Sequence, residues 1–216
     1  MPSEVVVALA GGFLSINPGA SYLYGSICRA TGAELIIPHR YGFGSLNEGF
    51  IRFKDELDLL AGDKPMVIIG HSLGAINAVR YAAHNNNVTD IMLIGMPVRG
   101  TALCRIASPV RYLARYFAPI LEDLAPNSEF LDGISSLLPQ VRHKITCVHA
   151  RRDYVVTPSS SAYIELAKDY LYLDDCNHVS MVFDSRVIKR AKEIVEEANR
   201  SLIGQISVKE VYLPVK

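Results

Sequence analysis

The chain has 216 residues, half of them hydrophobic, and Lys plus Arg equals Asp plus Glu at 22 each. That length and hydrophobicity fit a single globular domain, residues 1–216, with a sizeable core, and they exclude a disordered chain. A formal charge of zero argues against nucleic acid as a partner, and no apolar run approaches the ~20 residues of a membrane span.

Taken in order, Glu4 to Ala10 predicts a buried strand that runs into the glycine pair Gly11-Gly12, followed by Phe13-Leu14-Ser15. Ala20 to Thr31 reads as a helix stopped by Gly32, and Ala33 to Ile37 as a second strand ended by Pro38. His39 to Ser45, with two aromatics and two glycines, either lines a pocket or crosses the sheet's top edge. A helix follows over Glu48 to Ala61, with Asn47 as its expected cap. Phe50, Phe53, Leu57 and Leu60 recur along it at helical spacing.

The third strand, Met66-Val67-Ile68-Ile69, leads directly into Gly70-His71-Ser72-Leu73-Gly74, and an alanine-rich helical segment, Ala75 to Ala83, comes next. Strand, Gly-x-Ser-x-Gly and helix in succession is the context of a nucleophile elbow. Ser72 is therefore the candidate nucleophile. Gly70 and Gly74 flank it because side chains there would collide across so sharp a turn. The N–H of Leu73 opens the helix and is expected to face a developing oxyanion. The loop after the first strand supplies the second donor in such proteins. Phe13 is assigned that role, with Gly12 and Leu14 as rivals one position either way. The competing explanation for the glycine pair is a turn with no ligand.

Thr89 to Ile94 is a fourth strand ending at Gly95-Met96-Pro97. Strands alternating with helices predict a parallel sheet covered on both faces, its site at the C-terminal strand ends. Val98 to Pro139 interrupts this rhythm with four prolines and no obvious strand. Within it Pro109 to Phe117 predicts an amphipathic helix bearing Arg111 and Arg115 four apart. The insert, about 98–140, is read as a cap or lid over the site, against an ordinary crossover packed on the sheet. Its basic helix also offers a weak case for a lipid interface. Lys144 to Ala150 is the fifth strand, Arg151 to Pro158 its C-terminal loop, and Ser159 to Lys168 an expected helix. Tyr170 to Leu173 is a sixth strand followed by Asp174-Asp175-Cys176-Asn177-His178. Ser185 to Leu202 is the last helix, with Val187, Ala191, Ile194, Val195 and Ala198 toward the sheet. Gln205 to Lys216 fits an edge strand, a partner contact or a loose tail.

A serine hydroxyl needs a base in reach, and the base a third group that fixes its tautomer. In an elbow architecture the chain order is Ser, acid, His. Asp153 and His178 satisfy it, each following a strand. Asp174, Asp175 and Asp123 are rivals for the acid, and the competing reading of Asp153 is a solvated loop carboxylate paired with Arg151 or Arg152. Against His178 stand His149, inside a strand and expected to be a satisfied core residue, and His143, at the wrong strand end. His71 is expected to point away from the base and to be structural, and His39 and His84 to be surface residues.

These pieces together resemble the α/β-hydrolase fold, and more closely its small lipase and esterase members. They are Gly11-Gly12-Phe13, Gly70 to Gly74, Gly95 to Thr101, Leu124 to Leu131, Asp153 to Pro158, and His178 with Met181 three on. Gly11 stands where lipases of this kind carry a histidine. The resemblance implies a minimal α/β-hydrolase of about six mostly parallel strands with helices on both faces and a helical cap. It implies ester hydrolysis through an acyl-enzyme on Ser72, with Asp153 and His178 completing the set and Phe13 and Leu73 forming the oxyanion hole. The expected partner is a small-molecule acyl ester, and no cofactor or metal is needed. Acyl transfer or thioester hydrolysis on the same residues, and a catalytically silent binding module, are the alternatives. The four cysteines (Cys28, Cys104, Cys147, Cys176) are widely spaced with no CxxC, so neither a zinc site nor a disulfide framework is expected. With Met1-Pro2-Ser3-Glu4 lacking a basic n-region, the expected location is the cytoplasm.

Overall fold

The computed structural model describes residues 5–12, 18–38, 45–101, 120–157 and 159–211. Six strands form one sheet: β1 (Val6–Ala10), β2 (Glu34–Ile36), β3 (Met66–His71), β4 (Val88–Ile94), β5 (Ile145–Ala150) and β6 (Asp169–Leu173). They lie in the order β2-β1-β3-β4-β5-β6, and every pairing is parallel. Among the described residues these helices cross between or follow them: α1 (Pro18–Thr31), α2 (Leu46–Ala61), α3 (Leu73–His84), α4 (Glu129–Val141) and α5 (Ser185–Val211).

Alternation along the strands splits the core in two. Val6, Ala8, Ile68, Ile91 and Leu93 face one way, onto α2, α3 and α4 through Phe53, Leu57, Ile76, Val79, Leu131 and Ile134. Val5, Val7, Val67, Ile69, Met92 and Val148 face the other, onto α1 and α5 through Tyr24, Ile27, Val187, Ala191, Ile194 and Val195. Both faces being covered explains why the strands read as unbroken apolar runs. The crossover from β1 goes out to β2, and the chain then returns to place β3 on the other side of β1. Reversals of this kind open a crevice at the C-terminal strand ends. Here that crevice is flanked by Gly11-Gly12 after β1 and Ser72 after β3.

Several sequence expectations change. Ser45, and not Asn47, caps α2: its hydroxyl accepts from the Glu48 N–H while the Glu48 carboxylate accepts from the Ser45 N–H, a reciprocal capping box. Asn47 instead accepts from Arg80 at 2.9 Å. Ser159 to Lys168 is not an α-helix but a single 3₁₀ turn at Ser159–Ala162, after which Lys168 N–H returns to the Ile145 carbonyl. Three successive serines compete locally with helical hydrogen bonds. The last helix does not stop at Leu202 but continues to Val211, which removes an edge strand over 205–211. A mid-helix glycine such as Gly204 costs only about 1 kcal/mol and is readily crossed. The insert at 98–140 contains α4, whose Leu131, Ile134, Leu138 and Val141 are buried in the core against α3. Pro109 to Phe117, the expected cap helix, and the 39–44 loop lie outside the described residues. Among the described residues no helix is long and apolar enough to cross a membrane.

Candidate active site

β3 and α3 join without a loop, and Ser72 alone makes the turn, at φ 56 and ψ −119. Such a backbone is costly for a residue with a side chain, on the order of 1–3 kcal/mol. What holds it is packing on every side. A Cβ added to Gly74 would lie 2.1 Å from the Ala10 carbonyl oxygen, and one on Gly70 would lie 2.6 Å from Ala75 Cα. The Ser72 N–H donates to the Ile94 carbonyl at 2.9 Å, which ties the turn to the end of β4. Serine is among the best N-cap residues, yet the Ser72 hydroxyl caps nothing in α3 and is hydrogen-bonded to none of the described residues. Leu73 is the first residue of α3, so its N–H has no acceptor within the helix.

His178 and Asp153 meet. His178 Nδ1 lies 2.7 Å from Asp153 Oδ2, and both side chains are buried. A carboxylate accepts, so Nδ1 carries the hydrogen and Nε2 is left as the acceptor of the ring. The other carboxylate oxygen takes two main-chain donors from its own loop, Val155 N–H at 2.9 Å and Val156 N–H at 2.8 Å. Asp153 is 3% exposed and therefore needs these three donors. Arg151 and Arg152, its possible partners as a loop carboxylate, are exposed beside it. The loop is held from outside as well: Thr101 Oγ1 donates to the Val155 carbonyl, and Arg99 N–H to the Ser161 carbonyl at 3.2 Å.

The end of β4 lies between Ser72 and this pair. The Ser72 N–H binds Ile94, and the next residue, Gly95, lies under the His178 ring, where an added Cβ would be 3.2 Å from both Cε1 and Nδ1. Gly95 also has φ +59, which glycine adopts without strain. On the opposite side Gly12 is close enough that a Cβ there would sit 3.0 Å from Ser72 Cβ. A hydroxyl, an imidazole aligned by a buried carboxylate and a helical N–H with no acceptor in its own helix thus share one end of the sheet. That set can carry out nucleophilic acyl transfer.

The rivals are elsewhere. Asp174 is exposed, Asp175 pairs with Arg186, and Asp123 lies by Leu46, with burial raising its pKa. His143 is in the 3₁₀ turn that precedes β5, at the other end of the sheet, and His84 is exposed at the end of α3. His149 is in β5 as expected, edge-on to Tyr163 and tilted against Tyr172, but it is not fully satisfied. Its Nδ1 is buried without a hydrogen-bond partner among the described residues, and burial lowers its pKa. Phe13 and Leu14 lie outside the described residues, as does His39.

One expectation is overturned. His71 does not point away from the base: its ring centroid is 4.7 Å from that of His178, and its Nε2 lies 2.9 Å from the His178 carbonyl oxygen. Strand alternation carried the signal. His71 continues the Val67 and Ile69 face, onto which Met181 and Val182 of the base-bearing segment pack. The Asp175–Arg186–Asp184 ion cluster that closes this segment is a further part with no motif of its own. The arginine and its neighbours hold the Asp184 carboxyl far below the usual carboxylate range.

No family model matches the sequence, and no curated protein matches it. Solved structures do. The esterase domain of a Rhodothermus marinus protein superposes with a TM-score of 0.59 at 21% identity over 93% of this chain and 88% of that one. An esterase of Pyrococcus furiosus gives 0.66 at 15% identity over 90% and 82%. A lipase-esterase related protein of Clostridium acetobutylicum gives 0.58 at 13% identity over 89% and 95%. At such identities it is the fold that is shared. The all-parallel six-stranded sheet, the one-residue turn after β3 and these similarities together establish that the chain has the α/β-hydrolase fold.

Proposed function

We propose that the protein is a serine carboxylester hydrolase acting on apolar acyl esters. The observation that carries this reading is the 2.7 Å contact between His178 and buried Asp153, at the strand end where Ser72 adopts a positive φ. His178 Nε2 takes the Ser72 proton as Oγ attacks the ester carbonyl. The carbonyl π electrons move to oxygen, where the Leu73 N–H meets the negative charge. Each such donor typically contributes about 3–4 kcal/mol to the transition state. Phe13 N–H is assigned the second position. Collapse of the tetrahedral species expels the alcohol, protonated by His178, and leaves the acyl group on Ser72. Water, deprotonated by His178, repeats the sequence and releases the acid. Asp153 holds the imidazole in the Nδ1–H tautomer and faces the positive charge that the ring acquires.

The shared fold with proteins described as esterases supports the same class without choosing the substrate. The test is hydrolysis of p-nitrophenyl butyrate and palmitate by the wild type and by Ser72→Ala. Turnover abolished by the substitution supports the reading, and the ratio of the two rates reports the acyl length accepted. A folded wild type that cleaves neither ester contradicts it.

A further inference from the structure

This inference deepens the ester-hydrolase reading and rests on it. The base-bearing segment, residues 174–184, has its own anchors. Tyr24 Oη donates to the Val182 carbonyl at 3.3 Å, and Arg186 joins Asp175 to Asp184. Neither anchor touches His178 itself. His71 does, twice: Nε2 is 2.9 Å from the His178 carbonyl oxygen, and the two rings lie 4.7 Å apart at 41°. A carbonyl oxygen only accepts, so Nε2 carries the hydrogen and Nδ1 keeps its lone pair. On its other side Nδ1 is 3.5 Å from the position a Cβ would take on Gly12, in the turn after β1. One ring thus spans from the glycine turn to the base and is covalently adjacent to Ser72.

We propose that His71 is a positioning residue, whose Nε2–H pins the main chain of His178 and whose ring backs the imidazole, so that the base is held to the elbow itself. Burial, and then the neighbouring His178, pushes the His71 imidazole down to about 4. It therefore stays uncharged while His178 gains and loses a proton. A cation in its place would oppose the charge that the base must acquire. Glutamine carries its Nε2 as many bonds from Cβ as histidine does and donates in the same place, whereas leucine fills the space without a donor.

The experiment compares wild type, His71→Gln and His71→Leu with p-nitrophenyl butyrate and with a fluorophosphonate, which reports activation of Ser72 independently of ester KM. His71→Leu is expected to lower kcat and the labelling rate together by roughly 10- to 100-fold, with KM changed by less than about 2-fold. His71→Gln is expected to recover both rates to within about 3-fold of wild type. Equal labelling of all three proteins overturns the proposal and leaves the ester-hydrolase reading intact, as does glutamine performing no better than leucine. A wild type that neither labels nor turns over fails the ester-hydrolase reading, and the proposal falls with it. Should His71→Leu not fold, imidazole ¹⁵N shifts of the wild type decide the point. The Nε2–H tautomer at His71 supports the pin, and the Nδ1–H tautomer overturns it.

Discussion

Two serines open two helices in this molecule, and they do opposite things. Ser45 precedes α2 with φ −75 and ψ 158, caps the helix, and receives a reciprocal bond from Glu48. Ser72 precedes α3 with φ 56 and ψ −119 and caps nothing. The first arrangement stabilises a helix by about 1 kcal/mol. The second forgoes that gain and adds backbone strain, and its hydroxyl takes no part in the helix. The same residue type at the same helix position thus serves the fold in one place and, in the proposed function, a reaction in the other. Local rules that fail are therefore informative when the surroundings over-determine the failure, as Gly70, Gly74 and the Ile94 carbonyl do here.

The contrast can be broken most forcefully at Ser72. Ser72→Ala is expected to lower ester kcat by about 10⁶-fold with little change in urea midpoint. Ser45→Ala should leave kcat unchanged. Esterase activity surviving in the purified Ser72→Ala protein would make the strained turn a mere structural oddity. Next in size is Asp153→Asn. It keeps the shape but favours the wrong His178 tautomer, and kcat should fall by about 10⁴-fold while KM is nearly constant.

The site end of the sheet should also carry a pH liability. His71 titrates near 4 in the fold and near 6.5 when unfolded. Between those values the unfolded chain binds a proton that the folded one refuses, so stability is full above pH 6.5 and is lost progressively as pH falls from there to 4. The loss attributable to His71 is about 2–3 kcal/mol. Urea unfolding at pH 7 and pH 4.5 should show a smaller drop for His71→Gln than for wild type, and equal drops would contradict the assignment. The smallest effects are the helix starts themselves. Ser45→Ala should cost about 1 kcal/mol of stability. Ser72→Gly should be more stable than Ser72→Ala by about 1 kcal/mol, because glycine relieves the positive φ. A Ser72→Gly protein no more stable than Ser72→Ala would mean the turn is not strained.

What could be read from the sequence, and what could not, follows the range of the interactions involved. Strands such as Val6–Ala10, read in the sequence as Glu4 to Ala10, and Met66 to Ile69 are legible because burial on both faces writes an unbroken apolar run. The five residues assigned to the sheet side of the last helix, Val187, Ala191, Ile194, Val195 and Ala198, are all buried there. Asp153 and His178 were singled out by following strands in the right chain order, and the structure brings them together. α4 is harder to see because Pro139 lies within it, although Ser128, which accepts from the Leu131 N–H at 3.2 Å, marks its start. Ser45 was hidden behind Asn47 because two good capping residues lie two apart, and only Glu48 three after Ser45 separates them. The orientation of His71 depends on where a segment more than a hundred residues later crosses the end of β3. No local pattern contains that, and only the alternation of Val67, Ile69 and His71 hints at it.

Intact-mass analysis after exposure to a fluorophosphonate, followed by mapping of the modified peptide, tests the central claim most directly. The account predicts one adduct per chain, on Ser72, lost in Ser72→Ala and strongly slowed in Asp153→Asn. A folded wild type that remains unmodified, or an adduct on any other residue, would contradict it.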